Sequence, residues 1–421
     1  MTAGTMEQGR WNREEHLNFA FHAAPPPGEW INDPNGLVFA DGRYRLFMQH
    51  SAVGPDYKDI GWARMSSDDL LHWEWDGQVI PPDASGLAYS GSIAGKGGRL
   101  TATLTRHAPP IQKQYRLTSD DAGASWLQGD AALGPEGRNV RDPFMFDCAA
   151  TGDRRMLLAE PCDWSDWRTD PASSVSVWGE GVSGYGRVGT IGPWSPRGVM
   201  WEVPVLLDFG ARQVLIVSTV DRREDIARCS VRYWVGRFDG SSFAPETSAE
   251  GVLLDAGPDF YATCVNTVDG WPDSDRVMVG WASSWATARE VAWPGGVHGG
   301  PISLPRTLTL IGGRLHQQPA VAALNEARRA YWAPGQTLEL VFDEADVKFA
   351  LRLAADGALD ARRTGANEAL TWEWGDAQFL DAPTDILVFA DCGLIEIFFA
   401  VQGKTMTVFV PGATLQKGKF A

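Results

Sequence analysis

Short apolar runs separated by Asp/Gly turns dominate this chain, and a sustained 3.6-residue periodicity is missing over most of its length. Leu37-Val38-Phe39, the turn Asp41-Gly42 and Tyr44-Arg45-Leu46-Phe47-Met48 read as a β-hairpin. The stretch from Gly61 to Glu74 reads as a short strand, a polar turn and an aromatic, Trp73, that packs back. A similar unit returns from Tyr115 to Trp126, so that two Ser-Asp-Asp patterns close on tryptophans 53 positions apart. Val235 to Phe243 is a weaker echo. A unit of about 50 residues built from short strands suggests the blades of a β-propeller. Helical spacing emerges only near Val321 to Arg328, which reads as a linker helix. Beyond it, runs such as Leu338–Phe342, Val347–Leu351, Ile386–Phe389, Leu394–Phe399 and Thr405–Val410 read as the strands of a sandwich. The expected organisation is all-β: a polar tail over 1–20, a propeller over 21–317, a linker helix over 318–332 and a short C-terminal β-sandwich over 333–421.

Three carboxylates are set among neighbours that constrain them. Pro25-Pro26-Pro27-Gly28 delivers a stiff, extended chain to Trp30-Ile31-Asn32-Asp33-Pro34-Asn35-Gly36. Pro34 biases Asp33 toward extended geometry, and Asn35-Gly36 tolerates the positive φ of a reversing turn, so Asp33 is expected in a tight turn at the entrance of the first hairpin. Asp142 sits in Asn139-Val140-Arg141-Asp142-Pro143-Phe144, again before a proline. Glu202 lies in the apolar run Met200-Trp201-Glu202-Val203-Pro204-Val205, where apolar surroundings would raise its pKa and suit it to act as a general acid. Glycoside hydrolysis with retention uses one carboxylate as nucleophile and one carboxylic acid as proton donor, and a propeller can bring such distant residues to one channel. Each position also has a plainer reading: a loop at Asp33, a local Arg141-Asp142 ion pair, and a solvent-facing strand residue at Glu202.

Composition narrows the partners. The 421 residues carry a formal net charge of −16, with a pI of about 4.9, so nucleic acid and anionic membranes are repelled and neutral small molecules or polymers are easier partners. No apolar run approaches the roughly 20 residues of a membrane span, and the first residues lack a basic-then-apolar signal pattern. A cytoplasmic location is expected. The five cysteines form no Cys-x-x-Cys pair and the seven histidines show no ligand spacing, so neither metal nor cofactor is expected. Nineteen tryptophans suit stacking on sugar rings as well as core filling. Trp164, Trp167, Trp178, Trp194 and Trp201 could form a platform for a leaving-group sugar or remain core indoles, while Trp281, Trp285, Trp293 and His298 could rim the pocket.

Trp30 to Gly36, Tyr44 to Gln49, Trp62 to Trp73, Tyr89-Ser90-Gly91-Ser92, Arg141-Asp142-Pro143, Trp201-Glu202, Asp259-Phe260-Tyr261-Ala262, Gly280-Trp281 and Ser303-Leu304-Pro305-Arg306 follow one another in a familiar order. On these motifs, and more weakly on Asp391 and Glu396-Ile397-Phe398, the sequence resembles glycoside hydrolase family 32, the invertase, fructanase and β-fructosidase family. The resemblance implies a five-bladed propeller followed by a β-sandwich. It also implies Asp33 as nucleophile, Glu202 as acid/base and Asp142 as transition-state stabiliser, with Asn32, Gln49, Trp62, Ser90, Arg141, Asp259 and Tyr261 binding a terminal fructosyl unit. A retaining exo-acting β-fructofuranosidase on sucrose or short fructo-oligosaccharides is expected, with a fructanase or fructosyltransferase on levan or inulin, or a non-catalytic fructan-binding protein, as alternatives. The chain departs from the family pattern at Val203, where cysteine is usual, at Ala63-Arg64-Met65 in place of Gly-His-Ala, and at Ser51-Ala52 in place of Asn-Pro. Arg64 is expected to add a cation to the pocket rim, and these departures to act on substrate preference.

Overall fold

The computed structural model describes residues 19–96, 98–129, 132–161, 172–181, 184–223, 228–266, 276–290, 296–344, 347–365, 367–411 and 414–417. Its first part is a ring of antiparallel sheets taken up in chain order. Blade one is Trp30–Ala40, Arg43–Ser51, Gly61–Ser67 and Glu74–Ile80; blade two starts at Leu87–Lys96, blade three at Arg141–Asp147, blade four at Val199–Asp208 and blade five at Tyr261–Val265. These first strands touch one another in sequence and the fifth returns to the first, so they line the central channel. Closure is made by backbone bonds from the entering chain: Gly28 N–H donates to the Gly296 carbonyl at 2.7 Å and Ile31 N–H to the His298 carbonyl at 3.3 Å.

Each blade is pressed between two others, so its inner strands are buried on both faces, which explains runs such as Val214-Leu215-Ile216-Val217 where strict alternation would be expected of a half-exposed sheet. At about 1.5–3 kcal/mol for each large apolar side chain removed from water, these runs drive ring assembly. Outer strands such as Gly184–Ile191 are largely exposed. The Ser-Asp-Asp repeats fall at the turn from third to fourth strand. There Asp69 accepts the Leu71 and His72 amides, Asp121 the Ser125 amide, and Asp239 the Ser241 and Ser242 amides.

Two further sheets form the sandwich: Arg328–Trp332, Thr384–Asp391, Leu394–Phe399 and Lys404–Phe409 in one, and Leu338–Glu344, Val347–Leu353, Leu359–Thr364, Trp372–Asp376 and Thr414–Lys417 in the other. The expected linker helix over 318–332 is corrected in two places. Helical geometry is confined to a 3₁₀ segment, Val321–Asn325, and Arg328–Trp332 is a strand paired with Thr384–Asp391. Ala330 and Trp332 help fill the sandwich core, and that burial outweighs helical propensity.

Leu394–Phe399 is buried throughout because its alternating side chains serve two cores. Ile395, Ile397 and Phe399 fill the sandwich, whereas Leu394 and Phe398 pack on the propeller. Glu396 shares the propeller-facing side. It accepts from Arg306 Nη2 at 2.6 Å and the Leu304 amide at 2.6 Å, and bonds His22 Nε2 at 3.0 Å. Arg306 also reaches Asp255 at 2.8 Å. Nearly all of the expected 1–20 tail lies outside the described residues, but the Ala20 and Phe21 amides are bound by Asp391, each at 3.0 Å.

Candidate active site

A register break interrupts every channel-lining strand near its start: Ile31 to Gly36, Ala88 to Gly91, Arg141 to Phe144, Glu202 to Val205, and Tyr261 to Cys264. Such bulges re-aim side chains, and here they turn Asp33, Asp142 and Glu202 into the channel. Asn35-Gly36 is therefore not a reversing turn, and Asp33 lies inside a continuous strand. The pairing partners Arg43–Ser51 keep the chain extended, and Pro34 sits where a bulge needs no ladder bond. Gly36 serves close packing, since a Cβ there would come within 2.7 Å of the Ile93 side chain.

The bulges leave amides that the preceding blade captures. Gly91 N–H donates to Asn35 Oδ1 at 3.0 Å, Asp142 N–H to Thr105 Oγ1 at 3.1 Å, Val203 N–H to Asp142 Oδ2 at 3.1 Å and Ala262 N–H to Ser218 Oγ at 3.0 Å. Asp142, Val203 and Ala262 adopt φ of 60°, 48° and 48°. A β-branched residue at positive φ is strained, so Val203 occupies a position fixed by its neighbours.

The polarity around Asp33 follows from one indole. Trp30 Nε1–H can only donate, so Asn32 Oδ1, 2.9 Å away, must accept. Asn32 Nδ2 then donates to Asp33 Oδ1 at 3.0 Å and Gln49 Oε1 at 3.1 Å. With its oxygen assigned, Gln49 presents Nε2 to Ser90 Oγ, and Ser90 must give its own proton to Asp33 Oδ2, 2.6 Å away. Both Asp33 oxygens thus receive donors. Burial pushes the Asp33 pKa up to about 6, the Ser90 and Asn32 bonds oppose that rise, and the charge of Glu202 adds to it.

Asp142 is likewise raised, to about 7, chiefly by burial, with Arg141 opposing and the charges of Glu202 and Asp33 contributing. Glu202 does not meet the apolar surroundings expected for it. The bulge leaves Met200, Trp201, Val203 and Val205 among buried apolar neighbours, and the Glu202 carboxylate turns to polar partners. Arg141 Nη2 donates to Oε1 at 2.7 Å and Tyr261 Oη to Oε2 at 2.5 Å. Arg141 Nε is also 3.9 Å from Asp142 Oδ2. One guanidinium therefore serves two of the three carboxylates, Glu202 by a direct hydrogen bond and Asp142 at longer range.

These residues form the base of a cavity of about 800 Å³, walled by Tyr57, Tyr89 and Trp285 and bordered by exposed Arg138 and Arg289. Gln49 and Arg141 line it with the three carboxylates, whereas Asn32, Ser90 and Tyr261 stand behind and bond to Asp33 or Glu202. Two predicted sugar contacts are corrected. Trp62 is buried between blades and donates its indole N–H to the Tyr89 carbonyl at 3.1 Å. Asp259 is buried against the sandwich, where Arg363 and the Phe409 amide claim one carboxylate oxygen. Arg64 is absent from the rim, because Asp76 holds its Nε at 2.9 Å.

Trp285 and His298 line the cavity as expected, while Trp281 packs behind Trp30 and Trp285. Trp178, Trp194 and Trp201 form no platform at the pocket: Trp201 and Trp194 belong to the blade packing and Trp178 lies on a third strand. Trp164, Trp167 and Trp293 lie outside the described residues. Tyr57, Tyr89, His107, Arg138 and Arg289 were not anticipated as lining residues. Tyr89 opens the motif Tyr89-Ser90-Gly91-Ser92, and Arg138 precedes Arg141 by three residues; the loop around Tyr57 carries no comparable signal. Among the described residues, no group of three His, Cys, Asp or Glu side chains is placed to hold a metal.

Buried carboxylates gathered around a sugar-sized pocket in a propeller channel define a glycoside-hydrolase type of site. Residues 22–319 match the Glycosyl hydrolases family 32 N-terminal domain, and the chain belongs to that family. It is 29% identical over 309 residues to the levanase of Bacillus subtilis, a match covering 68% of this chain and 44% of the levanase. It is 27% identical over 370 residues to a sucrose-6-phosphate hydrolase of Zymomonas mobilis, covering 77% of this chain and 69% of that protein. The matched region thus spans less than half of the levanase. The crystal structure of the exo-inulinase from Aspergillus awamori shares the fold, with a TM-score of 0.74, 21% identity and 97% coverage of both chains.

Proposed function

We propose that the protein is a retaining, exo-acting β-fructofuranosidase that removes terminal β-D-fructofuranosyl units from sucrose or short fructo-oligosaccharides. The observation that carries this reading is the wiring of Asp33, whose two oxygens both accept hydrogen bonds while Glu202 is presented to the same cavity by Arg141 and Tyr261. An ionised Asp33 attacks the fructosyl anomeric carbon as Glu202 gives its proton to the departing glycosidic oxygen. Glu202 then takes a proton from the incoming water, whose oxygen displaces Asp33. The Tyr261 hydroxyl can donate to the ionised Glu202 and accept from the protonated form. Asp142, which accepts from Val203 N–H, binds sugar hydroxyls through the transition state in this reading. Because buried groups close the base of the pocket, a chain end enters more readily than an internal unit.

Levan or inulin would share the first half-reaction and differ on the leaving-group side. One observation favours a second reading of that side. Arg138 and Arg289 line the cavity, are exposed, and form no ion pair among the described residues, which suits a phosphorylated leaving sugar. Comparing kcat/KM for sucrose and sucrose 6-phosphate separates the two. The central test is Asp33→Asn: turnover should fall by roughly 10⁴–10⁶-fold, as when a nucleophile is removed, with sugar binding retained. Unchanged turnover would refute the mechanism, and a wild-type protein that binds but never cleaves fructosides would instead be a fructan-binding protein.

A further inference from the structure

Asp259 leads away from the fructosyl pocket and into the sandwich. Its Oδ2 accepts from Arg363 Nη1 and from the Phe409 amide, the latter at 2.9 Å, while its Oδ1 accepts from Thr287 Oγ1 at 2.6 Å. All three side chains are essentially inaccessible: relative exposure is 0% for Asp259 and Thr287 and 1% for Arg363. Thr287 belongs to the helix Trp285–Glu290, which places Trp285, Ala288 and Arg289 in the cavity wall. The helix rests on the sandwich's 3₁₀ turn Glu368–Leu370. Arg363 holds that turn too, through the Leu370 carbonyl at 2.9 Å and the Ala369 carbonyl at 3.3 Å. A helix of six residues has little stability of its own, so its position comes from these tertiary contacts.

We propose that Arg363 and Asp259 are positioning residues through which the sandwich sets the outer, leaving-group wall of the pocket. Among the described residues the fructosyl base, built on Trp30, Asn32, Gln49, Ser90 and Asp33, makes no hydrogen bond to Arg363, Asp259 or Thr287 and meets the helix only by ring packing, Trp30 on Trp285 with centroids 6.4 Å apart, so loosening the clamp acts first on the outer wall. The consequence for substrate rests on the fructosidase reading above; the consequence for the helix does not.

The test compares full-length wild type with Thr287→Val, Arg363→Met and Arg363→Lys by hydrogen–deuterium exchange, sucrose kinetics and inhibition by free fructose. In Thr287→Val, exchange across 284–290 should rise about tenfold, the worth of one hydrogen bond, while Val347–Leu353 and Leu394–Phe399 stay protected. KM for sucrose should rise several-fold with kcat nearly constant and the fructose inhibition constant unchanged. Arg363→Met should exceed this effect, and Arg363→Lys should restore part of it. Unchanged exchange in the helix overturns the clamp, and faster exchange with unchanged KM overturns its role in substrate binding. If Arg363→Met fails to fold, Thr287→Val decides. A wild-type chain with no fructoside turnover counts against the functional reading, and exchange then decides the clamp alone.

Discussion

Ser90→Ala isolates the hydrogen bond that prepares the nucleophile. Ser90 Oγ–H meets Asp33 Oδ2 at 2.6 Å in a site where burial pushes the carboxyl pKa up to about 6. A hydrogen bond to a charged group is worth about 1.5–3 kcal/mol, and 1.36 kcal/mol corresponds to one pKa unit, so its loss should raise the site's controlling pKa by about 1–2 units. The sign follows from the chemistry: Asp33 attacks only when ionised, and removing a donor from its charged form makes ionisation harder. The acid limb of kcat/KM therefore moves to higher pH, with activity depressed near neutrality and recovering as the pH rises. The assay is kcat/KM for sucrose from about pH 4 to about pH 10 in wild type and variant, with thermal melts to confirm the fold. Asp33 and Asp142 are both raised by burial in the same site, and the charge of Asp33 acts on Asp142, so the displacement between variants is the quantity to read. A uniform loss at every pH, with the limb unmoved, would refute the reasoning and leave Ser90 as a packing support behind Asp33.

Three other perturbations address the frame. Burial lowers the pKa of His22, but hydrogen bonds and charges from Asp391 and Glu396 outweigh it and raise the value to about 9. Since this exceeds the unfolded value of about 6.5, the roughly 3 kcal/mol contribution is full below about pH 6.5 and is lost as pH rises through about 9. Wild type should lose melting temperature across that alkaline window more steeply than His22→Gln, and parallel curves would contradict the assignment. Arg306→Met removes the buried guanidinium that Glu396 and Asp255 share, leaving Glu396 to His22 and Asp255 to neutral donors, and should cost about 3–5 kcal/mol in denaturant unfolding; a loss below about 1 kcal/mol would mean the interface relaxes around them. Gly91→Ala would drive a Cβ into the Thr103 carbonyl oxygen, shifting the bulge beside Ser90, and should reduce kcat by more than tenfold in a protein that still folds. Wild-type kcat in that variant would show that the bulge tolerates movement.

Local pattern carried a large part of this protein. Strand runs, the turn aspartates at Asp69, Asp121 and Asp239, and the prolines after Asp33 and Asp142 act over a few residues, so their spacing is visible in one dimension. The motifs likewise pointed to Gln49, Ser90 and Arg141 around three carboxylates, and the structure brings all of these together. Other assignments depended on which neighbour a side chain meets. Asn35-Gly36 has the composition of a turn, but pairing with Arg43–Ser51 keeps it extended. Asp259 and Trp62 stand in the right motifs yet face the sandwich and the inter-blade core. Tyr57, Arg138 and Arg289 come from segments with no periodicity and reach the pocket only because the ring closes. Sequence alone thus determined the strands and the candidate chemistry, because backbone pairing and turn propensity are local. Tertiary structure decided which groups share a cavity, because burial, bulge direction and the partner of each charge depend on residues brought close by folding.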